Sequence, residues 1–166
     1  MSELNACLKC LYENYAIVFP PIEPKMAQQA SVKLVKSGVP PIPLDYVTFL
    51  AATNGLSWNG VVLFALENIE RNKGAFHHPG IMQNFQFCQN NSLMKKKLLL
   101  GEGWETILVY DFAQKEYLLL DRYTYDIIFH FATLVDVLKY VIKPIQKQLP
   151  EGMEEVNKKE ENHAKT

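Results

Sequence analysis

The chain has 166 residues, of which 48% are hydrophobic and 21% charged, and its formal net charge is −1. This length suits one domain, and the near-neutral charge argues against a direct nucleic-acid binder, which uses basic residues to neutralise phosphates. No apolar run approaches the roughly 20 residues that cross a bilayer, so no membrane partner is expected. Three cysteines are too few for a disulfide framework, and the first residues lack the basic and apolar regions of an export signal. We therefore expect a cytoplasmic protein.

Three helices are predicted in the first third of the chain. Apolar residues at steps of three and four predict an amphipathic helix over residues 3–18, capped by Ser2. A second helix opens at Pro24 and ends at Gly38, and a third opens at Pro43. The residues expected to face the core are Leu4, Leu8, Leu11, Tyr15 and Val18, then Met26, Ala30 and Leu34, then Tyr46, Val47 and Leu50.

Two Asn-Gly pairs follow the third helix. Asn54-Gly55 is interpreted as a helix stop, because glycine adopts the left-handed conformation that closes a helix without a Cβ penalty. Asn59-Gly60 is interpreted as the turn into a buried strand over residues 61–66. Trp58, between the two pairs, is expected to cover the core at this corner, because large aromatic side chains are usually mostly buried.

The second half of the chain reads as a series of strands closed by a helix. Strands are predicted over residues 97–100, 106–110, 117–120 and 127–131, with Gly101-Glu102-Gly103 breaking the first of them. Residues 67–96 show little pattern beyond a short helix around 82–87. Thr133 and Asp136 form a variant capping box that opens a last helix, which Pro144 kinks or ends.

Helices followed by a meander of strands and a closing helix indicate an α+β fold. We expect a central, mostly antiparallel sheet with N-terminal helices and a C-terminal helix packed around it. Residues 1–150 would form a single domain, and residues 151–166 a polar, charged tail.

Motifs for catalysis or cofactor binding are weak. Neither glycine cluster lies between a strand and a helix, as a phosphate loop requires, and no Gly-x-Ser-x-Gly is present. Cys7 and Cys10 fall in a helical pattern and are interpreted as buried thiols, and His77-His78 as a surface loop. No catalytic residue, metal or cofactor is therefore expected. An enzyme remains the alternative only if a cleft gathers Cys7 with one of these histidines.

Acidic residues concentrate between Gly101 and His130. Six acidic residues against two basic ones give this segment a local charge of −4 in a near-neutral chain. A purely structural role explains the pattern equally well, because Asp is common in turns and charged residues keep the ends of hairpins soluble. The functional interpretation is an acidic surface for a basic protein partner, with aromatic anchors among the charges. The candidate partner-binding residues are Glu102, Trp104, Glu105, Asp111, Asp121, Tyr123, Tyr125 and Asp126.

The order of several short motifs over residues 40–143 is distinctive. Pro43-Leu44-Asp45-Tyr46, Phe49-Leu50 and Asn54-Gly55 are followed by Gly60 and an apolar strand ending in Leu63-Phe64. In this order the chain resembles the opening of the SUKH superfamily. The second half is similar to the family in the same way, through Leu98-Leu99-Leu100-Gly101, Val109-Tyr110-Asp111, Leu120-Asp121 and a helix after Phe131.

The resemblance implies an α+β fold and a non-enzymatic role. SUKH proteins are best known as bacterial immunity proteins that bind and neutralise toxin domains, often nucleases. A related eukaryotic branch regulates cell-wall assembly through protein contacts. The working hypothesis is thus an immunity-type protein that occludes a cognate toxin, with a regulatory or scaffolding module as the alternative.

Overall fold

The computed structural model describes residues 1–147. They contain six α-helices and nine strands, with a short 3₁₀ turn at Ser92–Met94. The helices are α1 Glu3–Glu13, α2 Pro24–Lys36, α3 Leu44–Leu50, α4 Ile81–Asn84, α5 Gln86–Gln89 and α6 Leu134–Gln146. The strands are β1 Ile17–Val18, β2 Leu56–Trp58, β3 Val61–Leu63, β4 Ile69–Arg71, β5 Phe76–His78, β6 Lys97–Glu102, β7 Thr106–Asp111, β8 Glu116–Asp121 and β9 Ile127–Phe131.

Seven strands form one sheet in the order β1-β2-β3-β6-β7-β8-β9, and β4 and β5 form a separate hairpin. Within residues 1–147 each neighbouring pair in the large sheet is antiparallel. This confirms the predicted α+β class with a mostly antiparallel sheet. The predicted tail, residues 151–166, lies outside the described residues.

The core lies where the helices meet the middle of the sheet. Apolar side chains on both faces of β6, β7 and β8 are buried, so both faces of the sheet are covered along these strands. The hydroxyl of Tyr46 in α3 lies 2.7 Å from the carbonyl of Phe64 and 3.0 Å from that of Leu100. α6 begins with the predicted capping box of Thr133 and Asp136, and it packs against α1. It continues through Pro144 to Gln146.

The first helix is shorter than predicted. α1 ends at Glu13, and Tyr15 then adopts a positive φ of 67° and is 94% exposed, so its predicted core position is wrong. Ile17–Val18, which the sequence places in the helix, instead form an edge strand that pairs with β2. In α2 the core stripe is shifted: Met26 is 48% exposed and Ala27 takes its buried place.

The two Asn-Gly pairs organise the corner after α3. The helix ends at Leu50, and Gly55 follows with a φ of 91° in the turn into β2. Asn59 and Gly60, both with positive φ, join β2 to β3 in the geometry of a two-residue type I′ hairpin. Trp58 packs against the core as predicted, and its indole N–H donates to the carbonyl of Asn14 at 3.0 Å.

Gly101 does not break β6, contrary to the sequence prediction. The strand continues to Glu102 through a register shift between Leu99 and Gly101, where the backbone of β3 passes close by. A Cβ on Gly101 would approach the carbonyl oxygen of Val62 to 2.7 Å. The glycine is therefore explained by close strand packing rather than by a turn.

The prediction that His77-His78 lie in a surface loop is also wrong. His77 and His78 lie in the β4–β5 hairpin rather than in a loop, and His78 is buried with its ring 4.5 Å from that of Phe19. Its Nε2 lies 2.9 Å from the carbonyl of Leu63, so this nitrogen donates the proton of the neutral ring. Burial lowers the pKa of His78, against the raising effect of this hydrogen bond.

The free energy of unfolding should consequently fall when the pH is lowered below about 6.5. In this range His78 becomes protonated in the unfolded chain, whereas its lowered pKa keeps it neutral in the folded protein. Because the folded pKa is the lower one, the effect is absent above pH 7 and grows towards pH 5. Chemical denaturation at a series of pH values measures it. His78→Leu should remove this component of the pH slope and the matched His77→Gln should keep it; an equal slope in the two variants would contradict the assignment.

The thiols show no sign of activation. Cys7 is buried and Cys10 partly buried in α1, and burial raises the pKa of both thiols. Burial likewise raises the pKa of Cys88 to about 11. A nucleophilic cysteine needs the opposite shift, towards the thiolate.

Candidate functional site

One end of the sheet brings together two of its turns. β6 ends and β7 begins at the turn of residues 103–105, while β8 ends and β9 begins at the turn of residues 122–126. Because neighbouring strands are antiparallel, these turns are side by side. The backbone N–H of Arg122 donates to the carbonyl of Glu105 at 2.9 Å and ties them together.

Seven of the eight predicted partner-binding residues lie at or beside these two turns. Asp111 does not: it lies at the opposite end of β7, roughly 17 Å away along the strand. Its Oδ1 accepts the backbone N–H of Ala113 at 3.0 Å, and its Oδ2 lies 3.7 Å from Nζ of Lys97. Asp111 is buried and shapes the β7–β8 turn, so it is not part of the surface formed by the other seven residues.

The aromatic residues at this end differ in exposure. Trp104 is 82% exposed and Tyr123 is 75% exposed, whereas Tyr125 is partly buried with its ring 6.1 Å from that of Phe87. The indole of Trp104 rests against the backbone of Gly60 in the β2–β3 turn, where a Cβ would overlap the ring. One side of the Trp104 ring thus contacts the β2–β3 turn, and the rest of the side chain is exposed to solvent.

The acidic residues around the two rings have separate local roles. Oδ1 of Asp121 accepts the backbone N–H of Tyr123 at 2.8 Å and of Thr124 at 2.9 Å, and these bonds lower the pKa of Asp121. Asp126 accepts the hydroxyl of Thr124 at 2.8 Å. The turn-forming explanation of the acid-rich pattern therefore holds for Asp121 and Asp126.

Glu102 and Glu105 complete the charge of this end. Arg122 lies 3.2 Å from Glu102 and also donates to the carbonyl of Gly103 at 3.2 Å, while Glu105 is exposed. Four carboxylates and one guanidinium leave a formal charge of −3 at this end of the sheet. The surface is therefore negative at neutral pH around two exposed rings.

A cleft of about 540 Å³ opens beneath these rings, between the sheet and α6. We call it the Trp104 cleft. Its rim carries Glu102, Trp104, Glu105 and Tyr123, and its walls are largely apolar. The wall residues come from four elements, β3, β7, β8 and α6, and include Leu63, Leu108, Leu119, Val137, Tyr140 and Val141.

Sequence reasoning missed this cleft. Leu108 and Leu119 are cross-strand partners in β7 and β8, and both point towards α6. Val137 and Val141 recur at helical spacing in α6 and are buried, whereas Tyr140, which also lines the cleft, is 40% exposed. The sequence shows the apolar residues of the two strands and the apolar stripe of the helix, but it does not show that a cleft lies between these elements.

The residues considered for an enzyme are not at this cleft. Cys7 lies in α1, and His77 and His78 lie in β5, and none of them lines it. Within residues 1–147, no three His, Cys, Asp or Glu side chains are grouped so that they could hold a metal ion. None of the helices in that range combines the length and apolar character needed to cross a bilayer.

The geometry thus defines an α+β domain with an acidic, aromatic cleft at one end of its sheet. Comparisons with protein-family models, curated proteins and solved structures found no match. The SUKH resemblance stays a prediction from the motif order.

The contact between Gly60 and Trp104 can be tested with a matched pair of glycines. Gly60 and Gly74 both occupy hairpin turns with positive φ, 78° and 85°, but only Gly60 has a side chain above it. Alanine at either position should cost about 1–2 kcal/mol in backbone strain. Gly60→Ala should also displace the indole of Trp104 and shift its fluorescence emission.

Gly74→Ala serves as the control and should leave the emission unchanged. Because Trp58 is the second tryptophan, both variants are repeated with Trp104→Phe, which should abolish the shift. Equal spectra for Gly60→Ala and the parent chain would mean that the indole does not rest on this turn in solution.

Proposed function

We propose that this chain is a non-enzymatic, immunity-type protein that binds a cognate toxin domain and blocks its active site. The observation that supports this most is the pair of exposed rings, Trp104 and Tyr123, at the mouth of an apolar cleft within a surface of charge −3. The motif order that resembles SUKH immunity proteins points the same way.

Exposed aromatic residues of this kind suit a protein interface. Trp and Tyr are enriched among residues that dominate binding energy, because large rigid rings bury much area at low entropic cost. The cleft offers an apolar surface into which a partner's side chain can insert next to Trp104. Glu102 and Glu105 at the rim would contact the polar edge of such an interface.

The negative charge favours a basic partner. A nuclease carries positive charge where it binds phosphates, so an acidic surface would be complementary to its active site. Complementary fields raise the association rate, which matters when free toxin is lethal. Occlusion by bound protein needs no catalytic residue, metal or cofactor in this chain.

The test is co-expression of the chain with the product of the adjacent gene, followed by purification and an activity assay on the partner. The proposal expects a stable complex in which the partner's toxic activity is suppressed. A stable complex with a partner that has no toxic activity would instead support the regulatory or scaffolding alternative. Failure to find either a toxin-like neighbour or a complex would reject the immunity role.

A further inference from the structure

β9 is an open edge of the seven-stranded sheet. It pairs with β8 on one side, and within residues 1–147 no strand lies on its other side. An edge of this kind presents a row of backbone donors and acceptors that can pair with another strand. A register shift leaves Ile128 without a partner in β8, while Phe129, His130 and Phe131 pair regularly with it.

The side chains of this edge are apolar and unusually exposed. Ile127, Ile128 and Phe129 are 51%, 44% and 44% exposed. The Phe129 ring lies 5.1 Å from that of Tyr140 in α6, and the Phe131 ring lies 5.5 Å from it. Tyr140 is itself 40% exposed, so the strand and the helix beside it form one aromatic patch.

The opposite edge of the sheet is protected in ways that β9 is not. β1 has only two residues, Ile17 and Val18, and Pro20-Pro21 follow it closely. Short edge strands and prolines limit pairing with other chains. β9 has five residues and contains neither proline nor lysine.

The edge chemistry favours a second copy of the same chain as the occupant. The segment Ile127–Phe131 carries no formal charge with His130 neutral, so two antiparallel copies set no like charges opposite each other. Pairing of identical edges about a two-fold axis closes into a dimer, whereas pairing of β9 with β1 of the next copy would leave an open chain. Residues 151–166 of the chain itself are mostly charged or polar, a composition depleted in strand formers.

We propose that two copies of this chain associate by antiparallel pairing of their β9 edges, with the aromatic patch of Phe129, Phe131 and Tyr140 buried beside the new strand pair. The contact is one strand edge with its flanking side chains, so we expect a dissociation constant on the order of 10 µM. The proposal does not rest on the toxin-binding role, because the strand edge lies outside the turns that carry Trp104, although Tyr140 of the aromatic patch also lines the Trp104 cleft.

Sedimentation equilibrium of the full chain over a concentration range spanning that value tests the proposal. The expected result is a monomer–dimer equilibrium, with slower hydrogen exchange at the amides of residues 127–131 as concentration rises. Ile128→Lys should abolish the dimer. It should leave the fold intact, because Ile128 is exposed and opposite no residue of β8.

Ile17→Lys is the matched control, since Ile17 is also an exposed isoleucine in an edge strand. It should dimerise like the parent chain. A monomer at every concentration, a dimer that survives Ile128→Lys, or loss of association in Ile17→Lys would each overturn the proposal. Circular dichroism of both variants verifies that they are folded.

Discussion

Trp104→Ala should weaken binding of the proposed toxin partner by about 2–4 kcal/mol, which is roughly 30-fold or more in the dissociation constant. The expected loss is large because Trp104 is 82% exposed in the free protein, rests against Gly60, and would be buried in the proposed interface. The same exposure means that folding stability should change by less than about 0.5 kcal/mol. Calorimetric titration and chemical denaturation measure the two quantities.

Tyr12→Ala is the matched control, an exposed aromatic residue of α1 that does not line the Trp104 cleft. It should bind like the parent chain.

Glu105→Lys should act differently from Trp104→Ala, chiefly by slowing association at low salt, because it reverses a rim charge. Glu67→Lys makes the same charge change at an exposed site away from the cleft. Unchanged affinity in both Trp104→Ala and Glu105→Lys would move the interface elsewhere.

Asp45→Ala should lower the free energy of unfolding by about 3 kcal/mol. One carboxylate oxygen of Asp45 accepts the hydroxyl of the buried Tyr117 in β8, and the other accepts the first backbone N–H of α6, from Leu134, at 2.7 Å. Burial, and the nearby Asp45 carboxylate, raise the pKa of Tyr117, so its hydroxyl remains a donor. For a chain of this length the melting temperature should fall by about 6–12 °C.

Asp126→Ala is the control for this prediction. Its carboxylate bonds only to the neighbouring Thr124 in an exposed turn, so the loss should stay within about 0.5 kcal/mol. Tyr117→Phe separates the two bonds of Asp45. If the carboxylate connects β8 and α6 as described, Asp45→Ala should cost less in the Tyr117→Phe background. Additive losses would show that the two residues do not interact in solution.

Local patterns predicted the helices and most of the sheet. The β9 strand was predicted with its observed bounds, and the Thr133 capping box opened α6 as expected, because both depend on residues close together in sequence. The hairpin of β4 and β5 was missed, since His77-His78 and the polar residues around them resemble a loop until Phe19 covers His78.

The candidate site was predicted in part for the same reason. The acidic and aromatic residues of the two turns are recognisable in the amino-acid sequence. Antiparallel pairing of the strands then places Trp104 near Tyr123. Asp111 shares their charge but not their position, because it follows the predicted strand over residues 106–110 and so lies at the end opposite Trp104. The cleft and the bonds of Asp45 depend on residues far apart in the chain, so neither has a local signal.

The packing of α1 on α6 has a consequence for how the chain folds during synthesis. The ribosome produces the N-terminus first, so α1 emerges long before α6 exists to cover its face with Cys7 and Leu11. The hairpins of β6 to β9 join strands that are close in sequence and can form with little loop-closure cost. Packing of α1 against α6 is therefore a late step, and the face of α1 with Cys7 and Leu11 stays without this cover until residues around Leu138 have emerged.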